Sequence, residues 1–234
     1  MKSPFSAATA SLLCAFTALS AAPPAEPSTP PFKSSVAPDE SPSIAHSGDA
    51  AEANRLTQLG TGAFQKGDLE TARKDYEKAL ALVPGQTNAT VNLGLVAHRQ
   101  KRFDEAEELL KGLVHREPEL PLGWLVLGTI YYDQEKLEGA LAAFAQAAFL
   151  QPKDARTHHY LGITLGKKGW YSGAEDEMRK AIELEPSYAE AHFNLAVFYL
   201  QRTPPAIELA RRHYQTALDL GAPRDPSIEK TLGK

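Results

Sequence analysis

Cysteine is nearly missing from this 234-residue chain, which holds Cys14 alone. A single cysteine excludes an intramolecular disulfide, a zinc site with several cysteine ligands and a CxxC redox pair. Basic residues are not in excess either, because 25 Lys and Arg stand against 29 Asp and Glu and the formal net charge is −4. Binding to nucleic-acid phosphates needs clustered positive charge, so the composition argues against a dedicated nucleic-acid-binding protein.

Signatures of catalysis are missing as well. The sequence contains no phosphate-binding loop, Gly-x-Ser-x-Gly elbow, His-Glu-x-x-His helix or paired-carboxylate signature, and Gly60-Thr61-Gly62 falls within a predicted helix. His158 and His192 stand 34 residues apart at equivalent positions, but two imidazoles without a third ligand make a poor metal site. We therefore interpret both histidines as helix-packing residues, and we predict no catalytic residue, cofactor, metal or small-molecule substrate.

The first twenty residues are typical of a secretory signal peptide. Lys2 precedes a mildly apolar stretch, and Ala18 and Ser20 occupy the −3 and −1 positions for cleavage after residue 20. This pattern predicts an extracytoplasmic protein, either periplasmic or secreted. Two alternatives remain: lipidation of Cys14, whose preceding residue Leu13 is larger than usual, and an uncleaved anchor, for which the stretch is short. Membrane association is expected only under these alternatives.

Residues 21–49 form a different kind of segment, with seven prolines set among serines and few large apolar side chains. Such a composition cannot bury a core, and it predicts a disordered linker. A flexible chain of about 29 residues spans roughly 30 Å on average, so it would hold the folded part away from its point of attachment. A Pro-rich recognition peptide is the alternative.

A period of 34 residues organises the rest of the chain. Prolines recur at this interval, at Pro84, Pro118, Pro152 and Pro186. A Leu-Gly pair repeats in the same register, at residues 59–60, 93–94, 127–128 and 161–162. Apolar residues three or four apart form a stripe on the first helix of each period, and proline marks the end of the second. Because a lone helix pair cannot bury that stripe, successive pairs must stack into a solenoid.

The third period resembles the tetratricopeptide repeat (TPR) at every position of the family pattern: Trp124, Leu127, Gly128, Tyr131, Ala140, Phe144, Ala147 and Pro152. The resemblance implies an all-α fold, a right-handed α-solenoid of about five TPR helix-turn-helix repeats that follows a disordered N-terminal region. We place the solenoid at residues 50–224, with repeats at about 53–86, 87–120, 121–154, 155–188 and 189–224, and a C-terminal capping segment at 225–234. The fifth repeat carries two extra residues around Thr203-Pro204-Pro205, which predicts a longer turn.

The resemblance also implies a concave groove lined by the first helix of each repeat. The family geometry places these residues on that inner face: Val91, Leu95, Arg99, Leu125, Thr129, Tyr132, His159, Ile163, Phe193 and Val197. Most are apolar, whereas a solvated helix face is mostly charged, so we expect a protein partner to cover them as a helix or extended peptide. The carboxylate clamp of chaperone-binding relatives is absent, since only Asn92 of the corresponding residues fits it.

Three other interpretations of these apolar residues stay open. The linker or the C-terminal segment could fold back into the groove, two chains could dimerise through it, or the residues could pack between neighbouring repeats. The sequence predicts a non-catalytic protein–protein interaction scaffold of the cell envelope or secreted space. The alternative function is a self-associating structural or assembly factor of the envelope.

Overall fold

The computed structural model describes residues 47–233, and the regular structure in this range is entirely helical. Ten of its helices pair into five hairpins, which confirms the predicted fold class. The helices are α1 (Ser47–Gln65), α2 (Leu69–Leu82), α3 (Thr87–Arg99), α4 (Phe103–Arg116), α5 (Pro121–Asp133), α6 (Leu137–Leu150), α7 (Ala155–Lys167), α8 (Tyr171–Leu184), α9 (Ala189–Gln201), α10 (Ile207–Asp219) and α11 (Pro226–Thr231). Two compact units result: residues 47–186 hold α1 to α8, and residues 187–233 hold α9 to α11.

The N-terminal predictions fall largely outside the described residues. The predicted signal peptide, Cys14 and the linker up to residue 46 are not part of them. The predicted linker boundary at residue 49 is wrong by three residues, because α1 begins at Ser47. Asp49 lies in the first turn of α1, where a carboxylate interacts favourably with the positive end of the helix dipole.

A glycine in the first helix of each hairpin of residues 47–186 sets how closely the two helices of that hairpin approach. A Cβ atom at Gly128 would lie 2.5 Å from the ring of Phe144, and real Cβ atoms essentially never lie within 3.0 Å of a non-bonded atom. The same close approach recurs in the other hairpins of residues 47–186, between Gly60 and Tyr76, Gly94 and Leu110, and Gly162 and Met178. The repeated Leu-Gly pair therefore marks the helix contact, and any larger residue would push the two helices apart.

The turn inside each of the first four hairpins has three residues, and the middle one adopts a left-handed conformation. These residues are Gly67, Lys101, Glu135 and Gly169, with φ between 59° and 79°. The backbone N–H of the third turn residue then donates to a carbonyl in the last turns of the first helix. In the second hairpin, for example, the Arg102 N–H donates to the Ala97 carbonyl at 2.8 Å. In the fifth hairpin the turn covers residues 202–206, two residues more, as the sequence predicts.

The predicted capping segment folds as α11. The Asp225 carboxylate accepts hydrogen bonds from two backbone N–H groups at the start of this helix, at 2.8 and 3.1 Å. Ile228 and Leu232 are buried, and the Asp225 N–H donates to the Tyr214 hydroxyl at 2.7 Å. The short helix therefore covers apolar surface within the unit that also contains α9 and α10.

Candidate functional site

Contacts between neighbouring hairpins show which helices form the inner face of residues 47–186. Each first helix contacts the next first helix, so that α1, α3, α5 and α7 follow one another. Each second helix packs on the next first helix, and among the described helices no comparable contact joins two second helices. We call the surface lined by α1, α3, α5 and α7 the inner face, and the opposite surface, lined by α2, α4, α6 and α8, the outer face.

Eight of the ten predicted partner-binding residues lie on the first helices of this unit, at very different depths. Four are buried, with exposed fractions of 3% for Val91, 7% for Leu125 and 8% each for His159 and Ile163. Leu95, Thr129 and Tyr132 are half-buried, and Arg99 is exposed. Phe193 and Val197 belong to the other unit, where both are buried on α9. Binding of a partner by these residues stays a prediction, and the half-buried ones are best placed for it.

Two of the buried residues belong to the core that joins neighbouring repeats. Val91 packs in a cluster with Leu110 and Val126 of the following helices. Leu125 packs in a second cluster with Phe144 and with aromatic side chains of α5 and α7. Packing between repeats, which the sequence left open as an alternative, therefore accounts for the apolar character of these two positions.

A row of side-chain pairs, which we call the inner-face ladder, links the C-terminal ends of successive first helices. The Arg99 guanidinium lies 4.3 Å from the Phe64 ring centroid, the His98 Nε2 lies 2.6 Å from an Asp133 oxygen, and the Lys167 ammonium lies 4.8 Å from the Tyr132 ring centroid. Each pair is 35 residues apart, one more than the repeat length, so the sequence carried a signal for it. A cation–π pair of this kind contributes about 0.5–1 kcal/mol. Arg99 and Tyr132 thus also hold neighbouring repeats together.

Burial fixes the charge state of two groups on the inner face. Loss of solvent raises the pKa of Tyr132 to about 12, and the negative charge of Asp133 acts in the same direction. Burial lowers the pKa of His159 to about 4. At neutral pH both side chains are therefore uncharged, and neither adds a charge to the inner face.

The end of the inner face near α1 is polar. The Thr57 hydroxyl donates to the Gln86 Oε1 atom at 2.8 Å, and the Gln86 amide donates to Asn54 at 2.7 Å. The Asn92 amide donates to the Thr61 hydroxyl at 3.4 Å. Side-chain amides and hydroxyls at this end complement the apolar and aromatic residues that α5 and α7 contribute.

The histidine that most suggested a metal site is part of a packing contact. His158 is buried, with its Nε2 atom 2.9 Å from the Pro152 carbonyl oxygen and its Nδ1 atom 2.7 Å from a Glu177 oxygen. Trp124, at the same position one repeat earlier, donates its indole N–H to the Pro118 carbonyl at 2.7 Å. A ring N–H donated to this proline carbonyl is thus a shared feature of the two repeats, in agreement with the packing interpretation of His158.

Two kinds of feature are absent from the residues that the structure describes. No group of three or more histidine, cysteine or acidic side chains converges there in a way that could hold a metal ion. Among the helices in residues 47–233, none combines the length and the apolar character needed to cross a bilayer.

Family models match the hairpins directly. Tetratricopeptide repeat models match residues 57–121, 155–188 and 177–219, and a TPR repeat model matches residues 128–169. Together these matches reach from the first hairpin to the fifth.

Curated relatives share the repeats over part of their length. Human protein O-mannosyl-transferase TMTC1 is 29% identical over 189 residues, which cover 79% of this chain and 21% of the relative. The Drosophila melanogaster BBSome complex member BBS4 homolog is 27% identical over 141 residues, which cover 56% of this chain and 29% of the relative. The chain therefore spans less than a third of either relative.

Solved structures match over most of the chain. Pseudomonas aeruginosa pilF aligns with a TM-score of 0.72 at 20% identity, covering 80% of this chain and 86% of its own. YrrB, described as a TPR protein with an unusual peptide-binding site, aligns with a TM-score of 0.61 at 22% identity, covering 81% of this chain and 100% of its own. At these identities the structural likeness shows the fold alone, and the family models show the family. The chain belongs to the tetratricopeptide repeat family and is a protein–protein interaction scaffold.

Proposed function

We propose that this chain is a non-catalytic module of the cell envelope or secreted space that binds a peptide or helix of another protein on its inner face. The observation that carries the proposal is a strip of half-buried, uncharged side chains, Leu95, Leu122 and Tyr132, on the first helices of neighbouring repeats. Apolar side chains seldom form a continuous strip on a helix face that contacts only water. The peptide-binding site named for YrrB supports the same type of ligand.

The chemistry of the inner face describes the expected ligand. Leu95 and Leu122 offer contacts for apolar side chains spaced along a helix or on alternate residues of an extended peptide. The neutral hydroxyl of Tyr132 can donate a hydrogen bond, and the Asn92 amide lies at the polar end, where it can pair with peptide backbone groups. We expect a ligand with an apolar segment flanked by polar backbone contacts.

Replacing Thr129 with arginine is expected to block ligand binding without unfolding the chain. Thr129 is half-buried on the inner face of α5, and among the described residues its hydroxyl donates to the Leu125 carbonyl of its own helix at 3.0 Å. A long cationic side chain at this position would fill the space over the apolar strip and place a charge against it. Affinity capture from an extracytoplasmic fraction, with the bound proteins identified by mass spectrometry, measures the effect.

Thr71→Arg provides the matched control, because Thr71 is exposed on the outer face of α2. A protein captured by the wild type and by Thr71→Arg, but lost with Thr129→Arg, would support the inner face as the binding surface. Capture of the same proteins by all three chains would argue against it. Circular dichroism of each variant verifies that the helices are retained.

The extracytoplasmic location has a separate test. We expect the full-length chain, expressed in bacteria, to yield a protein that begins at Ala21, because the signal is predicted to be cleaved after Ser20. Mass spectrometry of the protein recovered from periplasm, membrane and cytoplasm measures its N-terminus and its location. An intact N-terminus on cytoplasmic protein, or a lipid on Cys14, would contradict this part of the proposal and leave the binding surface unaffected.

A further inference from the structure

One second helix differs from the others on its outer face. Three outward positions recur at the same place in every second helix, and all of them are exposed. In four helices these positions hold at least two polar or charged residues: Lys74, Glu77 and Ala81 in α2, Glu108, Lys111 and His115 in α4, Asp176, Arg179 and Glu183 in α8, and Arg212, Gln215 and Asp219 in α10. In α6 they hold Ala142, Ala145 and Phe149. Among these five second helices, α6 is therefore the one whose exposed stripe is apolar; the other four carry polar or charged residues there.

The apolar stripe is both exposed and long. Phe149 is 79% exposed, the highest value among the large apolar side chains of the described residues. No charged residue occurs between Glu138 and Lys153, so no charge interrupts the stripe from Ala142 to Phe149. The spacing of three and then four residues from Ala142 to Phe149 is that of a seam between two packed helices. Small alanines allow a second helix to approach closely, and Phe149 supplies a large side chain to bury.

We propose that the outer face of α6 is the contact between two copies of this chain. Two antiparallel α6 helices related by a two-fold axis near Ala145 would place each Phe149 on the Ala142 of the other copy. Glu138 pairs with Lys168 of its own chain, and its side chain is 82% exposed. The same register brings this carboxylate of each copy to the end of the helix where the other copy carries Lys153, so a second opposite charge meets it at both ends of the contact. A two-fold contact needs a surface that complements itself, and this stripe does so in both shape and charge.

The size of the stripe predicts a weak dimer. A buried aromatic side chain contributes roughly 150–250 Å² to a contact, and one helix from each copy adds only its alanines and flanking residues. The total falls below the roughly 1,200 Å² of a standard stable interface. The dimer is therefore concentration-dependent, and it leaves the inner face open. It goes beyond the proposed ligand binding, which concerns the opposite side of the hairpins.

Sedimentation velocity of the purified chain tests the proposal, at concentrations from about 1 μM to about 1 mM, the range of Kd expected for so small a contact. The wild type is expected to pass from monomer to dimer, and Phe149→Glu is expected to remain a monomer throughout. His115→Glu adds a charge at the same position of α4 and is expected to dimerise like the wild type. A wild type that stays monomeric at the highest concentration would overturn the proposal, as would equal dimerisation of all three chains.

A cysteine at the axis gives an independent measurement. In the Cys14→Ser background, Ala145→Cys places one thiol close to its counterpart in the second copy, so mild oxidation is expected to link two chains rapidly. His115→Cys, also at an exposed position but on α4, is expected to link them slowly. Linking at equal rates would overturn the proposed axis, because both thiols would then be meeting only by random collision.

Discussion

Replacing Phe144 with alanine is expected to lower the free energy of unfolding by about 3–5 kcal/mol, the usual range for a phenylalanine removed from a packed core. Phe144 is fully buried. Its ring closes the α5–α6 hairpin against Gly128 and stacks on Tyr160 of the next repeat, with centroids 5.4 Å apart. One truncation therefore weakens a contact inside a repeat and a contact between repeats. Urea denaturation followed by far-UV circular dichroism measures the loss.

Phe149→Ala is the control for this prediction, since it removes the same side chain from the same helix at an exposed position. Measured at low protein concentration, it is expected to change the free energy of unfolding by less than about 0.5 kcal/mol. Gly128→Ala is expected to cost about 1–3 kcal/mol because its new methyl group meets the Phe144 ring. In the Phe144→Ala background that cost should largely disappear. Equal losses for Phe144→Ala and Phe149→Ala would contradict the placement of the core.

The sequence predicts the repeat architecture well because the residues that define it act locally. A Cβ atom at Gly128 or Gly162 would collide with the side chain that packs there, and a proline just beyond the second helix of a repeat prevents that helix from continuing. The longer fifth turn was also predictable, because two inserted residues must be placed somewhere and Thr203-Pro204-Pro205 cannot continue a helix. Such signals do not depend on how the rest of the chain packs.

The depth of each inner-face residue could not be predicted in the same way. The repeat register states which face a residue occupies, but the exposed fraction depends on how closely the next hairpin approaches. Val91 and Leu125 are consequently core residues, whereas Leu95 and Tyr132 remain half-buried on the same face. The pairing of Tyr132 with Lys167 was likewise not predicted. The two residues are 35 positions apart, whereas equivalent positions of adjacent repeats are 34 apart, so an alignment of the repeats does not place them together.

The stability of the chain is expected to fall by up to about 3 kcal/mol between pH 6.5 and pH 4 on account of His159. Burial lowers the pKa of this imidazole from 6.5 to about 4. Within this window the unfolded chain binds a proton at the histidine and the folded chain does not, so each step toward acid favours the unfolded state. Above pH 6.5 neither state is protonated there, and the contribution to stability is complete. Urea denaturation at a series of pH values measures the slope.

Comparison of His159→Leu with the wild type isolates this contribution from that of the other titrating groups. Leucine keeps an apolar side chain of similar size in the buried position on α7 but has no proton to bind, so the difference in unfolding free energy between the two proteins should change across the window and be constant above it. Phe149→Ala, which removes an exposed side chain that binds no proton, is expected to keep the slope of the wild type. If His159→Leu keeps that slope too, the imidazole is accessible to water, and this part of the inner face is more open than its burial implies.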